Sequence, residues 1–151
     1  MVIMPVDNQV FFSVITATKN SVEYIERTLL SVACQTYNSF EHIVIDSKSG
    51  DMTLSILEEY HSRYPLKYLS EPDSGIAEAF NKGIASATGS WIIFLGAGDE
   101  LLHCRILEEV AILLESLDKE MIVWGDITYK NCNGKIGSTE KADFPMSRLK
   151  R

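Results

Sequence analysis

At 151 residues the chain is long enough for one globular domain with its own core and too short for two. Hydrophobic residues make up 46% and charged residues 23%, and the formal net charge of −7 argues against general binding of nucleic acid. No apolar run is long enough to span a membrane, and no signal peptide is visible. We therefore expect a cytoplasmic protein, either free or peripheral to the inner face of the membrane.

Short apolar runs alternate with amphipathic stretches along the chain. The predicted strands cover residues 10–15, 41–46, 66–70, 91–95 and 121–126. The predicted helices cover about 21–35, 52–64, 76–87 and 101–117, the first of them starting at Asn20 with Glu23. A hairpin is predicted at Asn133-Gly134, between residues 127–129 and 135–138.

This alternation of strands and helices predicts an α/β protein. The connections are right-handed βαβ units, so the sheet is mostly parallel and open, with helices on both faces. We interpret residues 1–151 as a single domain, with a core at 10–130 and an irregular tail at 139–151. The three scattered cysteines favour reduced thiols, and Cys34 and Cys104 fall in predicted helices.

The chain is organised around the predicted strand at 91–95. Five apolar residues in a row indicate a strand buried on both faces, and Gly96-Ala97-Gly98-Asp99 follows directly. A carboxylate at the carboxyl end of such a strand suits a hard cation that carries phosphate oxygens. The alternative is that Asp99 caps a helix beginning near Leu101.

Carboxylates follow three of the predicted strands. Asp46 ends the second strand, Asp73 follows the third and Asp99 follows the fourth. In a doubly wound sheet of order 3-2-1-4, the loops 16–20 and 96–99 face each other across the switch point where a nucleotide can bind. The usual phosphate-binding motifs, G-x-G-x-x-G and the P-loop, are absent.

Each of these polar residues also has a purely structural interpretation. Asp46 and Ser49 could form a turn, and Asp73 in Pro-Asp-Ser-Gly is an ordinary turn residue. Asn81 and Lys82 could lie on a solvated helix face. Several acidic loop ends at one edge of one sheet nevertheless favour a binding site.

The motifs, taken in order and spacing, resemble the family 2 glycosyltransferases of the GT-A fold, especially bacterial enzymes that build surface polysaccharides and O-antigens. The resemblance covers Ser13 to about Asp126. It rests on Ser13-Val-Ile-Thr-Ala-Thr-Lys-Asn20, Ser31-Val-Ala-Cys-Gln-Thr-Tyr37, Phe40-Glu-His-Ile-Val-Ile-Asp46, Ser49-Gly-Asp51-Met-Thr53, Ser70-Glu-Pro-Asp-Ser-Gly-Ile76, Ala79-Phe-Asn-Lys-Gly83, Ala87-Thr-Gly89, Phe94-Leu-Gly-Ala-Gly-Asp99 and Trp124-Gly-Asp126.

The resemblance implies roles for individual residues. The residues that it places at the nucleotide are Thr16, Ala17, Thr18, Asn20, Asp46, Asp73, Asn81, Lys82 and Gly98. Asp46 would accept a hydrogen bond from the base, and Asp99 would hold Mg²⁺ or Mn²⁺ on the diphosphate. The chain departs from the family pattern at Ser47 and Met52, which replace glycines, and at Gly98, which replaces an aspartate.

The implied function is inverting transfer of a sugar from a nucleotide-sugar donor, a UDP-sugar, to a glycan or lipid-linked acceptor in cell-surface polysaccharide synthesis. The family normally continues into an acceptor-binding half that supplies the base, and we do not assign the base to Asp126. The alternative is a non-catalytic nucleotide-sugar-binding or assembly module. Because the missing half would leave an apolar face uncovered, we also predict self-association through that face.

Overall fold

The structure is a computed structural model that describes residues 10–114, 125–130 and 136–140. The chain divides into two compact units, Met1–Leu113 and Leu114–Arg151. Within the described residues, no helix combines the length and the apolar character needed to cross a membrane. The prediction of a single domain over residues 1–151 stays a prediction.

The first unit alternates strands and helices as expected. Its strands are β1 (Phe12–Thr18), β2 (Phe40–Asp46), β3 (Leu66–Ser70) and β4 (Trp91–Phe94). Its helices are α1 (Ile25–Ala33), α2 (Thr53–His61), α3 (Ile76–Ser86) and α4 (Ile106–Leu114), the last of which runs one residue into the second unit.

The four strands form one parallel sheet in the predicted order β3-β2-β1-β4. The pairing of β1 with β2 continues to Thr18↔Asp46, and that of β2 with β3 to Asp46↔Ser70. Residues 16–18 therefore belong to a strand, although the sequence predicted a loop from Thr16. The long pairing with β2 keeps them extended, and it brings the ends of β1, β2 and β3 to one edge.

Alternate residues of β2 pack on opposite faces of the sheet. On one face, Val44 packs with Ile25 and Leu29 of α1 and with Leu57 of α2. On the other face, the cluster of Ile43 and Ile45 includes Ala79 of α3. The helices thus cover both faces, as predicted.

Close packing of α3 on β1 depends on one glycine. A Cβ added at Gly83 would collide with the side chain of Ile15. Gly83 ends the Ala79-Phe-Asn-Lys-Gly83 motif, so that part of the motif has a packing reason. The close approach fixes α3, and with it the loop that joins β3 to α3.

The prediction that the strand at 91–95 is buried on both faces is wrong for β4. Ile92 is 38% exposed and Phe94 52% exposed, because β4 pairs only with β1 among the described strands and lies at the sheet edge. Of the predicted fifth strand, residues 121–124 lie outside the described residues, and Gly125 and Asp126 are not in a strand. Self-association through an exposed apolar face stays a prediction.

The cysteines also depart from expectation. Cys34 and Cys104 form a disulfide with their Cα atoms 5.2 Å apart, and Cys104 lies in the segment before α4. A separation of 70 residues hides this proximity in the sequence. It arises because β1 and β4 are neighbours, so that the end of α1 meets the segment after β4. Cys132 lies outside the described residues.

The second unit contains the predicted hairpin. β5 (Ile127–Lys130) pairs in antiparallel fashion with β6 (Ile136–Glu140), and the Tyr129 hydroxyl donates to Glu140 at 2.9 Å. Because β6 includes Thr139 and Glu140, the predicted irregular tail is wrong for these two residues. Residues 141–151 lie outside the described residues.

Candidate functional site

A groove of about 440 Å³ opens at the carboxyl edge of the parallel sheet. It lies where β1 ends and where the loops after β2, β3 and β4 begin, which is the place where open α/β sheets bind ligands. The residues that line it are Ala17, Thr18, Lys19, Ser21, Ser47, Asp73, Ser74, Gly75, Ile76, Ala79, Gly96 and Ala97.

Two buried polar atoms of the groove residues have no hydrogen-bond partner within the described part of the chain. They are the Thr18 hydroxyl oxygen, in a residue only 6% exposed, and Oδ2 of Asp73. The other oxygen of Asp73 accepts from the Gly75 amide at 3.0 Å. Leaving a buried polar group unpaired costs about 1–3 kcal/mol, so such groups are rare in folded proteins. Two of them at one groove indicate a place for a polar ligand.

The segment that follows β1 is fixed to the loop after β2. The Asn20 amide donates to the Ser49 hydroxyl at 2.7 Å, and its side-chain oxygen accepts from the Gly50 amide at 2.8 Å. Asn20 has a φ of 48°, and α1 does not begin until Ile25, so Asn20 does not cap it. The Ser49-Gly-Asp51-Met-Thr53 motif thus holds one wall of the groove in place, since Thr53 likewise accepts from the Ser21 amide.

The Asp46 carboxylate lies beneath this loop rather than in the groove wall. The residue is fully buried, and its oxygens accept from the Ser49 amide at 2.9 Å, from the Ser49 hydroxyl and from the Ser70 hydroxyl at 2.6 Å. Asp46 therefore ties the end of β2 to the end of β3. Contact with a base stays a prediction for this residue.

The loop after β3 is held by Lys82 of α3. The Lys82 ammonium forms ion pairs with Glu71 at 2.8 Å and Glu78 at 3.1 Å, and donates to the Pro72 carbonyl at 2.9 Å. Hydrogen bonds from Ser74 and from Lys82 lower the pKa of Glu78 to about 2. Lys82 thus positions the segment that carries Asp73, while Asn81 is exposed and does not line the groove.

Asp99 follows β4 in an exposed turn. Its Oδ2 accepts from the Gly96 amide at 3.2 Å, and its own amide donates to the Gly96 carbonyl at 2.9 Å. The helix predicted from Leu101 begins only at Ile106, so capping of that helix does not explain Asp99. Gly96 lines the groove, which puts the Asp99 turn at its rim.

The Asp99 side chain fits the requirements of a cation that also binds phosphate. Among the described residues there is no cluster of three or more acidic, histidine or cysteine side chains that could hold a metal. Mg²⁺ and similar ions commonly use only one or two protein carboxylates, because substrate phosphates and water complete the coordination. An exposed carboxylate at the groove rim, with one oxygen bound only by a backbone amide, suits that arrangement.

The three departures from the family pattern have different structural consequences. Gly98 adopts a φ of 104°, a conformation that an aspartate with its Cβ would adopt only under strain. Ser47 is buried and lines the groove, and its amide donates to the Thr18 carbonyl at 2.9 Å. Met52 is 62% exposed just before α2, and it is not among the groove residues.

The structure gathers only part of the predicted site at the groove. Ala17, Thr18 and Asp73 line it. The remaining predicted residues do not line it, and they are Thr16, Asn20, Asp46, Asn81, Lys82, Gly98 and Asp99. Thr16 faces the core, where its hydroxyl pairs with His42 at 2.9 Å.

The sequence reasoning missed several groove residues. Lys19 is the basic residue among those that line the groove, and Ser47, Ser74 and Gly75 contribute further polar or backbone surface. Lys19 and Ser47 each adjoin a residue that had been predicted, at the ends of β1 and β2. Reading whole strand ends, rather than single carboxylates, could have found them.

Comparison with known proteins identifies the family. A model described as Glycosyl transferase family 2 matches residues 13–148. A PGL/p-HBAD biosynthesis glycosyltransferase of Mycobacterium tuberculosis is 31% identical over 140 residues, which are 91% of this chain and 53% of that protein. The chain belongs to glycosyl transferase family 2.

Two solved structures share its fold. S. aureus TarS 1–349 in complex with UDP-GlcNAc aligns with a TM-score of 0.66 and 31% identity, over 70% of this chain and 31% of that one. The mannosyltransferase PcManGT from Pyrobaculum calidifontis, in complex with GDP-Man and Mn²⁺, aligns with a TM-score of 0.63 and 28% identity, over 68% and 32%. The predicted GT-A fold is confirmed. This family 2 chain spans about half the length of the mycobacterial relative and about a third of each solved chain.

Proposed function

We propose that this chain binds the donor of an inverting glycosyltransferase, a UDP-sugar, in the groove at the carboxyl edge of its sheet. The pair of buried, unpaired polar atoms on Thr18 and Asp73 is the observation that carries the proposal. A nucleotide-sugar offers hydroxyl and amide groups that can pair with both. The family membership and the UDP-GlcNAc bound to TarS support a sugar nucleotide over other polar ligands.

Different parts of the donor contact different walls of the groove in this proposal. The nucleoside lies along residues 16–20 and the loop after β2, with Asp46 behind it. The sugar and diphosphate lie toward Asp73, in the segment that Lys82 of α3 holds, and Asn81 beside Lys82 would border that side. Lys19 adds a positive charge to a groove that must accept an anion in a chain of net charge −7.

Asp99 would hold a divalent cation, Mg²⁺ or Mn²⁺, on the diphosphate. A cation bound there would neutralise charge that develops on the leaving nucleoside diphosphate. The work of the chain's own residues is to fix the donor: Thr18 and Asp73 orient it, and the Gly96 amide holds the Asp99 carboxylate at the rim. An acceptor hydroxyl would then attack the anomeric carbon from the opposite face, which inverts its configuration.

We propose a glycan or lipid-linked acceptor of cell-surface polysaccharide synthesis, used at the cytoplasmic side of the membrane. No described residue is assigned as the base that deprotonates it. The donor site can be tested without the acceptor.

The test is a calorimetric titration of UDP into the protein with and without Mn²⁺. We expect Mn²⁺ to strengthen binding, and Asp99→Ala to weaken binding in Mn²⁺ by at least about tenfold. Glu58→Ala is the matched control, because it removes the same charge from an exposed position on α2. Absence of UDP binding by the wild-type chain under both conditions would refute the proposal. Equal Mn²⁺ dependence in Asp99→Ala would remove Asp99 from it.

A non-catalytic nucleotide-sugar-binding or assembly module is the second candidate. It is favoured by the fully buried Asp46, whose oxygens are already paired with serines, and by the engagement of Lys82 with carboxylates. Slow release of UDP from a UDP-sugar in the presence of Mn²⁺ separates the two. A transferase site would slowly transfer the sugar to water and release UDP, at a rate that Asp99→Ala abolishes, and a binding module would bind the donor without releasing UDP.

A further inference from the structure

One side of α1 carries a row of buried polar residues that faces the segment after β4. Thr28 and Ser31 lie in α1, and Gln35 lies just beyond its end. Their exposed fractions are 0%, 8% and 6%. Because the spacing is i, i+3 and i+7, they share one helical face, which we call the α1 polar row.

Thr28 makes the contact nearest to Asp99. Its hydroxyl accepts from the Gly98 amide at 2.8 Å and donates to the Asp99 carbonyl at 2.8 Å. The Thr28 hydroxyl is therefore hydrogen-bonded to the backbone of both residues, to the Gly98 amide and to the Asp99 carbonyl. Gly98 has a φ of 104°. The two hydrogen bonds to Thr28 therefore fix the turn in the backbone that immediately precedes the Asp99 side chain.

The other two residues of the α1 polar row hold the segment from Leu101 to Leu107. The Ser31 hydroxyl accepts from the Leu101 amide at 3.1 Å. The Gln35 side chain donates to the His103 carbonyl at 2.8 Å and accepts from the Leu107 amide at 3.0 Å. The segment from Gly98 to Leu107 is thus fastened to α1 along its length.

The Asp99 side chain itself depends on this backbone for its position. Within the described chain, the backbone amide of Gly96 donates the hydrogen bond to the Asp99 carboxylate. Gly96 lies two residues before Gly98, whose amide Thr28 binds. Groups that orient a metal ligand through hydrogen bonds commonly affect metal affinity by about 10- to 100-fold. The same physical argument applies when the orienting group holds the ligand's backbone.

We propose that Thr28 is a positioning residue for the donor's cation, and that Ser31 and Gln35 support it. This inference rests on the proposed function, because it assigns to Asp99 the binding of a cation on the diphosphate. Thr28 does not touch the donor and acts through the Gly98–Asp99 backbone.

The competing interpretation is that the α1 polar row only stabilises the fold. If the row is purely structural, a substitution in it would lower the stability of the fold and would affect binding of the nucleoside and of the phosphates alike. A positioning residue would weaken binding of the phosphates with their cation and spare the nucleoside. Uridine and UDP differ in just this respect, so the two ligands distinguish the interpretations.

The experiment compares Thr28→Val with Thr28→Ser in the full chain. Valine keeps the shape of threonine and removes the hydroxyl, whereas serine keeps the hydroxyl. Thr88→Val is the matched control, because it removes a threonine hydroxyl that is hydrogen-bonded to Glu41 at the opposite edge of the sheet. UDP affinity in Mn²⁺ is measured by calorimetry, uridine affinity by NMR titration, and folding by urea denaturation.

We expect Thr28→Val to weaken UDP binding in Mn²⁺ by about tenfold or more, to leave uridine affinity unchanged, and to be rescued by Thr28→Ser. Unchanged UDP affinity in Thr28→Val, or an equal loss for UDP and uridine, would overturn the inference. If Thr28→Val does not fold, Thr28→Ser and Ser31→Ala carry the test, and wild-type affinity in Ser31→Ala together with weak binding in Thr28→Ser would contradict it. Loss of Mn²⁺-dependent binding in the wild type itself would instead be a failure of the proposed function.

Discussion

The two edges of the parallel sheet differ in whether their buried polar groups have hydrogen-bond partners. At the amino edge, the Glu41 carboxylate accepts four hydrogen bonds, from the Ser13 hydroxyl, the Thr88 amide and hydroxyl, and the Lys67 ammonium, at 2.7–2.8 Å. At the carboxyl edge, the Thr18 hydroxyl and Oδ2 of Asp73 receive no hydrogen bond from any described residue. Thr18 ends β1, and Asp73 lies in the loop after β3.

We interpret the difference as that between a structural cluster and the proposed binding site. Burial alone would raise the pKa of Glu41, but its hydrogen bonds outweigh that effect and lower the pKa to about 2. The amino edge is therefore complete and adds stability. The carboxyl edge is incomplete, and its unpaired atoms cost free energy that a bound ligand can recover. Pairing of polar groups, rather than their number, distinguishes the edge where we propose that the donor binds.

The largest expected effect comes from breaking the complete edge. Glu41→Leu removes the acceptor of four hydrogen bonds and leaves the Ser13 hydroxyl proton and the Thr88 amide and hydroxyl without an acceptor. We expect a loss of about 3 kcal/mol in the free energy of unfolding, at the low end for a broken buried pair because the Lys67 side chain is 63% exposed and can be hydrated. Urea denaturation measures it, with Glu41→Gln expected to lose less. If the folded Glu41→Leu variant also lost UDP affinity, the amino edge would not be purely structural, and the distinction between the two edges would be contradicted.

The acid dependence of stability gives a second expected effect, of about 1.4 kcal/mol per pH unit for each group. Burial lowers the pKa of His42 from 6.5 to about 3, and the pKa of Glu41 falls from 4.5 to about 2. Both groups bind fewer protons in the folded chain than in the unfolded chain, so stability decreases as the pH falls. The decrease begins below 6.5 through His42 and steepens below 4.5 through Glu41, with a further contribution of the same sign from the exposed Glu78.

The measurement is a set of urea titrations from neutral to mildly acidic pH. His42→Gln should flatten the first part of the profile, because glutamine does not titrate, and should leave the part due to Glu41. A wild-type stability that rises on acidification between neutral pH and 4.5 would contradict the buried, neutral state of His42.

Much of the fold follows from local sequence patterns. The strand order and the bounds of β3 were correctly predicted, because the alternation of elements and right-handed crossovers leave few arrangements. The hairpin around Asn133-Gly134 was predicted because that dipeptide suits a tight turn. Both inferences need only neighbouring residues.

The parts that were missed depend on residues far apart in the sequence. The hydrogen bond from the Ser70 hydroxyl to Asp46, across 24 residues, is visible only once β2 and β3 are side by side. The contact of Thr28 with Gly98 spans 70 residues, as does the Cys34–Cys104 disulfide. Residue types and spacing carry no direct record of such contacts, and this is why the site was only partly predicted.

The smallest expected change in stability tests the central claim most directly. Thr18→Val replaces an unpaired buried hydroxyl with a methyl group of similar size, so we predict a gain of about 1 kcal/mol in the free energy of unfolding. The same variant should bind UDP in Mn²⁺ more weakly, because the hydroxyl is no longer there to pair with it. Urea denaturation and calorimetry on one sample give both values. A variant that is less stable, or one that binds UDP as tightly as the wild type, would contradict the claim that this edge is left incomplete for a ligand.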